Sequence, residues 1–386
     1  HEIWLNGKSM SETATEDFEP IYGKLYLPRK FKTGLTAPHD NCIDVFSQDL
    51  GFVADIKNGE VVGYDLLVGG GMGKTHGKAT TFPHLSIPIC YVPREDVLKG
   101  SEAVITLYRD HGNRADRKRA RIKYLVADWG VEKFREVLKG YLTKPLVLPK
   151  NIQITGYETH LGWHAQGDGK FFYGVSVASG RIKDEGDFKL RTALRTIITK
   201  FDTEVRLTAI QDILICDLPE SAKQEIEAIL NSHGVKKPQD LSNIQKYSLA
   251  CPAIPTCGLA ISESERALPG VIDEMEVVLN ELDLANEIIN IRMTGCPNGC
   301  VRPYQSEIGF VGRSGEKYMV FVGGHVNGTR LNFMLKDLVL KSDIVPMFRH
   351  LFVDFKGKRA QSETFGDYCN RLGKDYLLTL LPAKAS

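Results

Sequence analysis

Two closely spaced pairs of cysteines are the residues whose type and spacing point most directly to chemistry. Cys251 and Cys257 form a C-x5-C pair, and Cys296 and Cys300 form a C-x3-C pair. Proline and glycine flank the pairs, which favours rigid turns over a helix face. Four thiolates presented in this way can hold an iron–sulfur cluster. A zinc site is an alternative, for which C-x3-C has a usual spacing and C-x5-C does not. A chance grouping of thiols is another.

A basic run just before residue 33 supplies a second candidate for chemistry. On a β-strand, the alternation of side chains would place Lys30 and Lys32 on one face and Phe31 on the other. Two ammonium groups directed at one site repel each other unless an anion lies between them, so the pair suits an oxyanion that accepts protons. An exposed basic strand edge is the alternative, and it is the more common use of such a run.

The glycine run at residues 69–73, followed by Lys-Thr, resembles a phosphate-binding loop at first sight. That template requires a glycine where this chain has Val68, so no nucleotide site is predicted. A glycine loop still allows backbone N–H groups to approach an anion or a flat cofactor. An ordinary hairpin loop is the alternative.

Residues 109–123 carry seven lysines and arginines and only two aspartates. On its own such a run is typical of a solvated helix face or of a nucleic-acid contact. The net charge of the whole chain is only +1 at pH 7, which favours neither nucleic acid nor an anionic membrane surface as a partner. We therefore expect no nucleic-acid binding and no membrane association.

Length and composition indicate a globular protein of several domains. The 386 residues are 42% hydrophobic and 25% charged, values that suit two or three domains. No apolar run approaches the ~20 residues that cross a bilayer, and the first 30 residues lack the apolar core of a signal peptide. Eight cysteines in this context predict a reducing compartment, and so a cytoplasmic location. The chain begins with His1, which predicts a processed protein or a fragment.

The hydrophobic pattern predicts the elements that position these residues. A proline-containing linker at 143–151 predicts one boundary between regions, and the end of a strand–helix unit near residue 235 predicts a second. The three predicted regions are residues 1–150, 151–235 and 236–386. Asn58-Gly59 is a hairpin signal between two apolar runs. The elements predicted from periodicity and β-branched runs are strands at 52–56, 61–68, 171–178, 205–208, 213–216, 288–293 and 318–322, and helices at 94–110, 131–142, 190–200, 219–232 and 269–282.

With their flanking residues, the cysteine pairs resemble those of the sirohaem-containing sulfite and nitrite reductases. The strings are Ala250-Cys251-Pro252-Ala253-Ile254-Pro255-Thr256-Cys257 and Thr294-Gly295-Cys296-Pro297-Asn298-Gly299-Cys300. The resemblance runs from about residue 2 to about residue 381. It implies the architecture of that family, an α+β fold of mixed and antiparallel sheets with flanking helices and a ferredoxin-like middle unit. It also implies that the four cysteines hold a [4Fe–4S] cluster and that Cys300 bridges to the iron of sirohaem.

The resemblance implies a sulfite reductase of sulfur assimilation, which reduces sulfite to sulfide with six electrons. The loop at 252–256 and the presence of both Lys30 and Lys32 resemble the sulfite branch of the family. These two lysines are implied to be catalytic, since their counterparts line the sulfite site. A sirohaem nitrite reductase that forms ammonia is the alternative. The implied electron donor is ferredoxin or an NADPH-dependent flavoprotein reductase.

Sirohaem carries many carboxylates, which a protein that buries it has to neutralise with fixed cations. The residues that the resemblance implies as cofactor contacts are Arg29, Gly69, Gly70, Gly71, Arg114, Arg117, Lys123, Gln211, Ala250 and Asn298.

The family is built of two similar halves, and the N-terminal half, with two arginines that bind sulfite, has no counterpart in this sequence. We expect that half to be a partner of this chain. If it is truly missing, a non-catalytic module that binds an iron–sulfur cluster or zinc is the alternative. In a plant or alga, the expected location becomes the plastid stroma.

Overall fold

The computed structural model describes residues 4–6, 8–9 and 19–382 of the chain. Residue 1, on which the expectation of a processed protein or a fragment rests, lies outside the described residues. The described strands are β1 (Trp4–Leu5), β2 (Lys8–Ser9), β3 (Thr33–Thr36), β4 (Leu50–Lys57), β5 (Glu60–Val68), β6 (Ile87–Pro93), β7 (Gly162–Ala165), β8 (Phe171–Val175), β9 (Asp184–Glu185), β10 (Phe188–Lys189), β11 (Val205–Leu207), β12 (Ile213–Leu218), β13 (Ser248–Ala250), β14 (Ile291–Thr294), β15 (Ile308–Ser314), β16 (Lys317–Val322) and β17 (Phe333–Leu340). The described α-helices are α1 (Val97–His111), α2 (Ile122–Lys139), α3 (Leu190–Phe201), α4 (Lys223–Ser232), α5 (Asn243–Lys246), α6 (Leu268–Glu281), α7 (Lys341–Lys358) and α8 (Phe365–Thr379).

The chain divides into two compact units, each made of several segments. Unit 1 comprises His1–Thr33, Gln48–Gly70 and Ser86–Ile152. Unit 2 comprises Gly34–Ser47, Gly71–Leu85 and Gln153–Ser386. The region boundaries expected near residues 150 and 235 stay a prediction.

The sheet of unit 1 contains an antiparallel meander of β4, β5 and β6. Its first hairpin turns at Asn58 and Gly59, whose φ angles of 52° and 82° are both positive. Such angles are the ones that an Asn-Gly hairpin turn requires, and the predicted hairpin is confirmed. α1 and α2 pack on these strands around a buried core that includes Leu107 and Phe134.

The helix expected at 131–142 is longer than its pattern indicates. α2 begins at residue 122, and Gly130, with a φ of 76°, interrupts its helical geometry. The apolar periodicity therefore restarts after the glycine, which is why the pattern identifies only the second part of the helix. The basic run at 109–123 covers the end of α1, a loop and the first turn of α2.

The larger sheet of unit 2 has the strand order β13-β14-β15-β16-β17. β14 runs parallel to both β13 and β15, while the remaining neighbours are antiparallel. α6, α7 and α8 cover the sheet with an aromatic core in which Phe348 and Phe365 are buried. The predicted helix at 269–282 corresponds to α6, and the predicted strand at 318–322 corresponds to β16.

A second sheet of unit 2 is built from the middle of the chain. Its strands follow the antiparallel order β11-β12-β8-β7. α3 and α4 pack on it through Ile197 and Ile226, which are fully buried. The structure thus combines a mixed sheet and antiparallel sheets with flanking helices, which confirms the expected α+β class.

Candidate functional site

The two cysteine pairs of unit 2 meet at the ends of neighbouring strands. Cys251 follows β13 directly, and Cys296 lies just beyond the end of β14. Because these strands are parallel and pair in register, their carboxyl ends lie side by side. The Cys251 backbone N–H donates to the carbonyl oxygen of Met293 at 3.1 Å, and the Gly295 N–H donates to the Cys251 sulfur at 3.3 Å. The sheet thus brings together Cys251 and Gly295, which are 44 positions apart in the sequence.

Glycine is required at two positions of the C-x3-C loop. A Cβ atom on Gly295 would lie 2.5 Å from the carbonyl oxygen of Ser262 and 2.7 Å from the Cβ of Ala253. Gly299 has a φ of 63°, and a Cβ there would lie 2.9 Å from the Tyr304 ring. The loop is therefore shaped by close packing on both sides, in accordance with its glycine-rich sequence.

The four thiols differ in burial. Cys251 and Cys296 are 7% and 8% exposed, Cys257 is half-buried, and Cys300 is exposed. Burial raises the pKa of the Cys296 thiol, hydrogen bonding with Asn298 opposes this effect, and the neighbouring Cys251 and Cys257 raise the pKa further. The effect of Cys251 and Cys257 on Cys296 indicates that these three thiols lie in one local environment. Metal binding would replace their protons.

The spacing of the sulfurs argues against a single zinc ion. No three of the four lie within 4.8 Å of one another, and all four belong to the described part of the chain. Thiolates on one tetrahedral zinc ion, each ~2.3 Å from the metal, lie about 3.8 Å apart. The arrangement therefore suits a larger, polynuclear centre.

Residues from a different segment of unit 2 hold the C-x3-C loop in place. The Lys74 backbone N–H donates to the carbonyl oxygen of Pro297 at 3.0 Å. Gly73 packs closely against the backbone of Asn298, where a Cβ would lie 3.1 Å from the carbonyl oxygen. The predicted cofactor contact Asn298 thus lies beside Cys296 in this supported loop, with an exposed side chain.

Two further predicted cofactor contacts, Gln211 and Ala250, bind each other. The Gln211 side-chain amide donates to the carbonyl oxygen of Ala250 at 2.7 Å and accepts from its N–H at 3.1 Å. Since β13 is the edge strand of its sheet, the amide takes the place that another strand would occupy. Gln211 therefore positions the residue directly before Cys251, and its contact with a cofactor stays a prediction.

Sequence reasoning missed a buried charge cluster next to the cysteine loops. Arg292 lies inside β14 and Asp44 lies on another segment, and both side chains are fully buried. The Arg292 guanidinium donates to both carboxylate oxygens of Asp44, at 2.7 and 3.1 Å, and Arg302 forms a second ion pair with the same carboxylate. These two arginines lower the pKa of Asp44 in opposition to its burial. The cluster ties the chain just after Cys300 to β14.

A signal for this cluster is present in the sequence. Arg292 interrupts the apolar run at 288–293, and a buried charge inside a strand requires a partner. The pattern does not reveal which carboxylate supplies it.

In unit 1 the β-strand expected through Lys30 and Lys32 is wrong, although the predicted alternation of exposed and packed side chains is right. β3 begins only at Thr33, so Lys30 and Lys32 lie in the segment before it. Their side chains are exposed, while the ring of Phe31 stacks on Tyr108 with centroids 5.7 Å apart. The backbone N–H of Lys32 donates to a carboxylate oxygen of Asp49 at 3.0 Å.

Asp49 is the centre of a cluster of cations in unit 1. Arg121 donates to both oxygens of its buried carboxylate, at 2.9 and 2.7 Å, and to the carbonyl oxygen of Gly70 at 3.1 Å. Lys123 is 1% exposed. Burial lowers the pKa of Lys123 to about 7, and the positive charges of Arg121 and Lys32 contribute to the lowering. Arg121 and Lys32 alone outnumber the single Asp49 carboxylate, so an excess of positive charge remains at neutral pH, which suits an anion.

Arg121 was not among the predicted contacts. The basic run contains it, but its spacing does not distinguish it from its exposed neighbours.

The N–H groups of the predicted glycine contacts are engaged within the protein. Gly69 donates to the Asp49 carbonyl oxygen at 3.0 Å and Gly70 to that of Gln48 at 2.9 Å, both in unit 1. Gly71 donates to the His84 carbonyl oxygen at 2.8 Å in unit 2. The expectation that these N–H groups approach an anion is wrong, because backbone carbonyls already accept from them. A cofactor contact through the missing side chains stays a prediction.

The remaining predicted contacts lie in unit 1. Arg114 donates to the carbonyl oxygens of Leu25 and Tyr26 at 3.2 and 2.8 Å, so its guanidinium fixes that segment. Arg117 is exposed in a short 3-10 helix, and Arg29 is half-buried. Their cofactor roles stay predictions. Of the helices in the described ranges, none combines the length and apolarity that a membrane crossing demands.

Two family models match the chain. "Nitrite and sulphite reductase 4Fe-4S domain" matches residues 1–146, and "Nitrite/Sulfite reductase ferredoxin-like half domain" matches residues 164–233. The second match confirms the ferredoxin-like character expected of the middle unit. The paired cysteines lie outside the residues matched by the first model, so its description does not locate a cluster in this chain.

Comparisons that cover nearly the whole of this chain agree with these matches. The sulfite reductase [ferredoxin] of Synechococcus elongatus is 42% identical, over 98% of this chain and 63% of the relative. The sulfite reductase [NADPH] hemoprotein beta-component of Bacillus subtilis is 41% identical, over 97% of this chain and 65% of the relative. The structure of Mycobacterium tuberculosis NirA protein matches with a TM-score of 0.74 and 27% identity, over 91% of this chain and 64% of that one. The chain thus spans somewhat less than two thirds of the length of these proteins.

Proposed function

This chain belongs to the nitrite and sulfite reductase family, and we propose that it is the part of a sulfite reductase that binds an iron–sulfur cluster and sirohaem. The observation that supports the proposal most strongly is the position of Cys251 directly after β13 and of Cys296 just beyond β14, at neighbouring carboxyl ends, with no three of the four described sulfurs close enough for one zinc ion. Relatives of 42% and 41% identity carry the name sulfite reductase. The chain spans 63% and 65% of the length of these two relatives. We therefore propose the substrate, the activity and the electron donor for this chain rather than taking them from the names of the relatives.

The donor set fits a [4Fe–4S] cluster. Cys251 and Cys257 both raise the pKa of Cys296, and all three residues are wholly or partly shielded from solvent. Cys300 is exposed, so its thiolate would be able to hold sirohaem as well as the cluster. When bound, these groups supply the redox chemistry for a six-electron reduction of sulfite to sulfide. The chain's own contribution is to hold the sulfurs through Gln211 and the glycine-rich loop.

The cations of unit 1 are proposed to bind anions, namely sirohaem carboxylates and sulfite. The backbone N–H of Lys32 donates to the Asp49 carboxylate, and the Arg121 guanidinium donates to both of its oxygens, so the Arg121 charge is fixed before any anion arrives. Lys123, whose pKa is lowered to about 7, exchanges its proton near neutral pH. Lys30 and Lys32, which are exposed, are proposed to orient sulfite and to donate protons to its oxygens.

The proposal extends to partners and location. The names of the relatives support ferredoxin or an NADPH-dependent partner as electron donor. We place the protein in the cytoplasm, which the eight free cysteines support. Further sulfite contacts are proposed to come from a partner, the N-terminal half that the family resemblance implies.

Turnover of the cofactor-loaded chain tests the activity. We expect sulfide from sulfite with a chemical electron donor, and a fall in kcat/KM of about 10²-fold in Lys32→Met. Lys139→Met, which changes an exposed lysine of α2, is the matched control and should leave kcat/KM unchanged. Each protein is also assayed with the stretch of the Synechococcus elongatus relative that this chain does not match, added as a separate polypeptide.

The outcomes separate the alternatives. Reduction of nitrite without reduction of sulfite would identify a nitrite reductase. A loaded chain that reduces neither, with or without the added polypeptide, would be a non-catalytic module. Equal loss of activity in both lysine variants would contradict the role given to Lys32.

A further inference from the structure

Unit 2 contains a second set of metal-ligating side chains, apart from the paired cysteines. Asp40 and Cys42 lie in the loop after β3, and His160 lies in the segment before β7. One ligand atom from each lies within 4.8 Å of the other two. The same carboxylate oxygen of Asp40, Oδ2, is 3.0 Å from His160 Nε2 and 3.5 Å from the Cys42 sulfur.

These distances are close to those around one zinc ion. Oxygen, nitrogen and sulfur ligands at about 2.0–2.3 Å in a tetrahedron lie about 3.4–3.6 Å from one another. The third pair of ligand atoms, on Cys42 and His160, lies within 4.8 Å, so an ion would bring these two atoms closer by at most about 1.3 Å. A carboxylate, an imidazole and a thiolate are all ligands that zinc accepts, and three protein ligands leave the fourth position to water.

The backbone holds the two segments together before any ion binds. The Asn41 N–H donates to the Gly156 carbonyl oxygen at 3.0 Å, and the Thr155 N–H donates to that of Pro38 at 2.7 Å. A Cβ on Gly156 would overlap the backbone of His39, so the segments are in close contact.

The Asp40 carboxylate is oriented by its other oxygen. Oδ1 accepts from the N–H groups of Cys42 and Glu158, at 3.0 and 3.2 Å. This leaves Oδ2 facing the imidazole and the thiol, and hydrogen bonds of this kind are those that orient metal ligands. His160 has a φ of 58°, an uncommon conformation for a residue other than glycine. The side chains of Asp40 and His160 are 19% and 25% exposed, so that an ion from solution can reach them.

We propose that Asp40, Cys42 and His160 bind one zinc ion, with water as the fourth ligand. The ion links the loop after β3 to the segment before β7. The site shares no ligand with the paired cysteines, and it does not depend on the proposed reductase activity.

Zinc retention by the chain with its iron–sulfur centre assembled tests the proposal. After incubation with Zn²⁺ and dialysis against a weak chelator, we expect about one zinc per chain. Cys42→Ser and His160→Gln should each weaken zinc binding by at least about tenfold, because the loss of a mere supporting hydrogen bond already costs about 10–100-fold. Cys216→Ser, a change of another buried cysteine in β12, is the matched control and should retain zinc.

X-ray absorption at the zinc edge of the wild-type chain keeps the test independent of how the variants fold. The expected shell contains one sulfur and the rest nitrogen and oxygen. A shell of four sulfurs would assign the zinc to the paired cysteines and overturn the proposal. Retention of no zinc by the wild-type chain, or of equal zinc by Cys42→Ser, would overturn it as well.

Discussion

Replacing the buried Lys123 with methionine should make the stability of unit 1 less dependent on pH. The side chain is 1% exposed, and its pKa is lowered from an ordinary value of 10.5 to about 7 by burial and by the neighbouring Arg121 and Lys32. Between these two values the unfolded chain binds a proton that the folded chain does not. The free energy of unfolding of the wild-type chain without cofactors therefore rises with pH in this window.

The size of the effect follows from the two pKa values. At 1.36 kcal/mol per pH unit, the interval from about 7 to 10.5 corresponds to about 5 kcal/mol in full. Between pH 7 and pH 9 the Lys123 contribution accounts for about 2 kcal/mol. Lys123→Met removes this ionisation and keeps an apolar side chain of similar length. It should therefore raise the free energy of unfolding most strongly at pH 7, and by a smaller amount at pH 9.

Urea unfolding of the cofactor-free chain at pH 7 and pH 9 measures the difference between wild type and Lys123→Met. Lys139→Met changes an exposed lysine of the same helix and serves as control, for which we expect less than about 1 kcal/mol at either pH. The reasoning would be refuted if wild type and Lys123→Met showed the same change in stability between the two pH values. It would also be refuted if the control reproduced the effect.

Three further changes probe the support of the cysteine loops. Gln211→Leu leaves the N–H and carbonyl groups of Ala250 without their partner, so it should cost about 1–3 kcal/mol in urea unfolding and lower the iron bound per chain; unchanged iron would contradict its positioning role. Asp44→Asn leaves the buried Arg292 without its counter-charge and should cost about 3–5 kcal/mol in the same assay; a loss below about 1 kcal/mol would exclude a buried ion pair. Gly295→Ala should cost about 1–3 kcal/mol through overpacking, measured by thermal unfolding, whereas a neutral result would mean that the loop can move away from Ser262.

The parts of the fold that local sequence determines were predictable. The Asn58-Gly59 turn, α3 and α6 follow from turn chemistry and from apolar periodicity, which do not depend on distant residues. β13 was missed because a strand of three residues, Ser248–Ala250, is too short for a periodic pattern. Its pairing partner β14 begins more than 40 residues later, so tertiary contacts alone define it.

The candidate site was predictable in its residue types and less so in its contacts. The cysteine spacing indicated a metal centre, and the structure places Cys251 and Cys296 just beyond the carboxyl ends of the neighbouring strands β13 and β14. The interactions of Gln211 with Ala250, of Arg121 with Asp49 and of Asp44 with Arg292 were not predictable, because each joins segments that are distant in sequence. The glycine N–H groups were misjudged for the same reason, since their acceptors lie on other segments.

Iron and acid-labile sulfide, assayed with the visible spectrum of anaerobically purified chain, test most directly that the two cysteine pairs hold a [4Fe–4S] cluster joined to sirohaem. We expect about four labile sulfides and about five irons per chain, together with porphyrin absorption bands. Cys296→Ser should lose both iron and labile sulfide. Zinc in place of iron, or iron without labile sulfide, would contradict the claim.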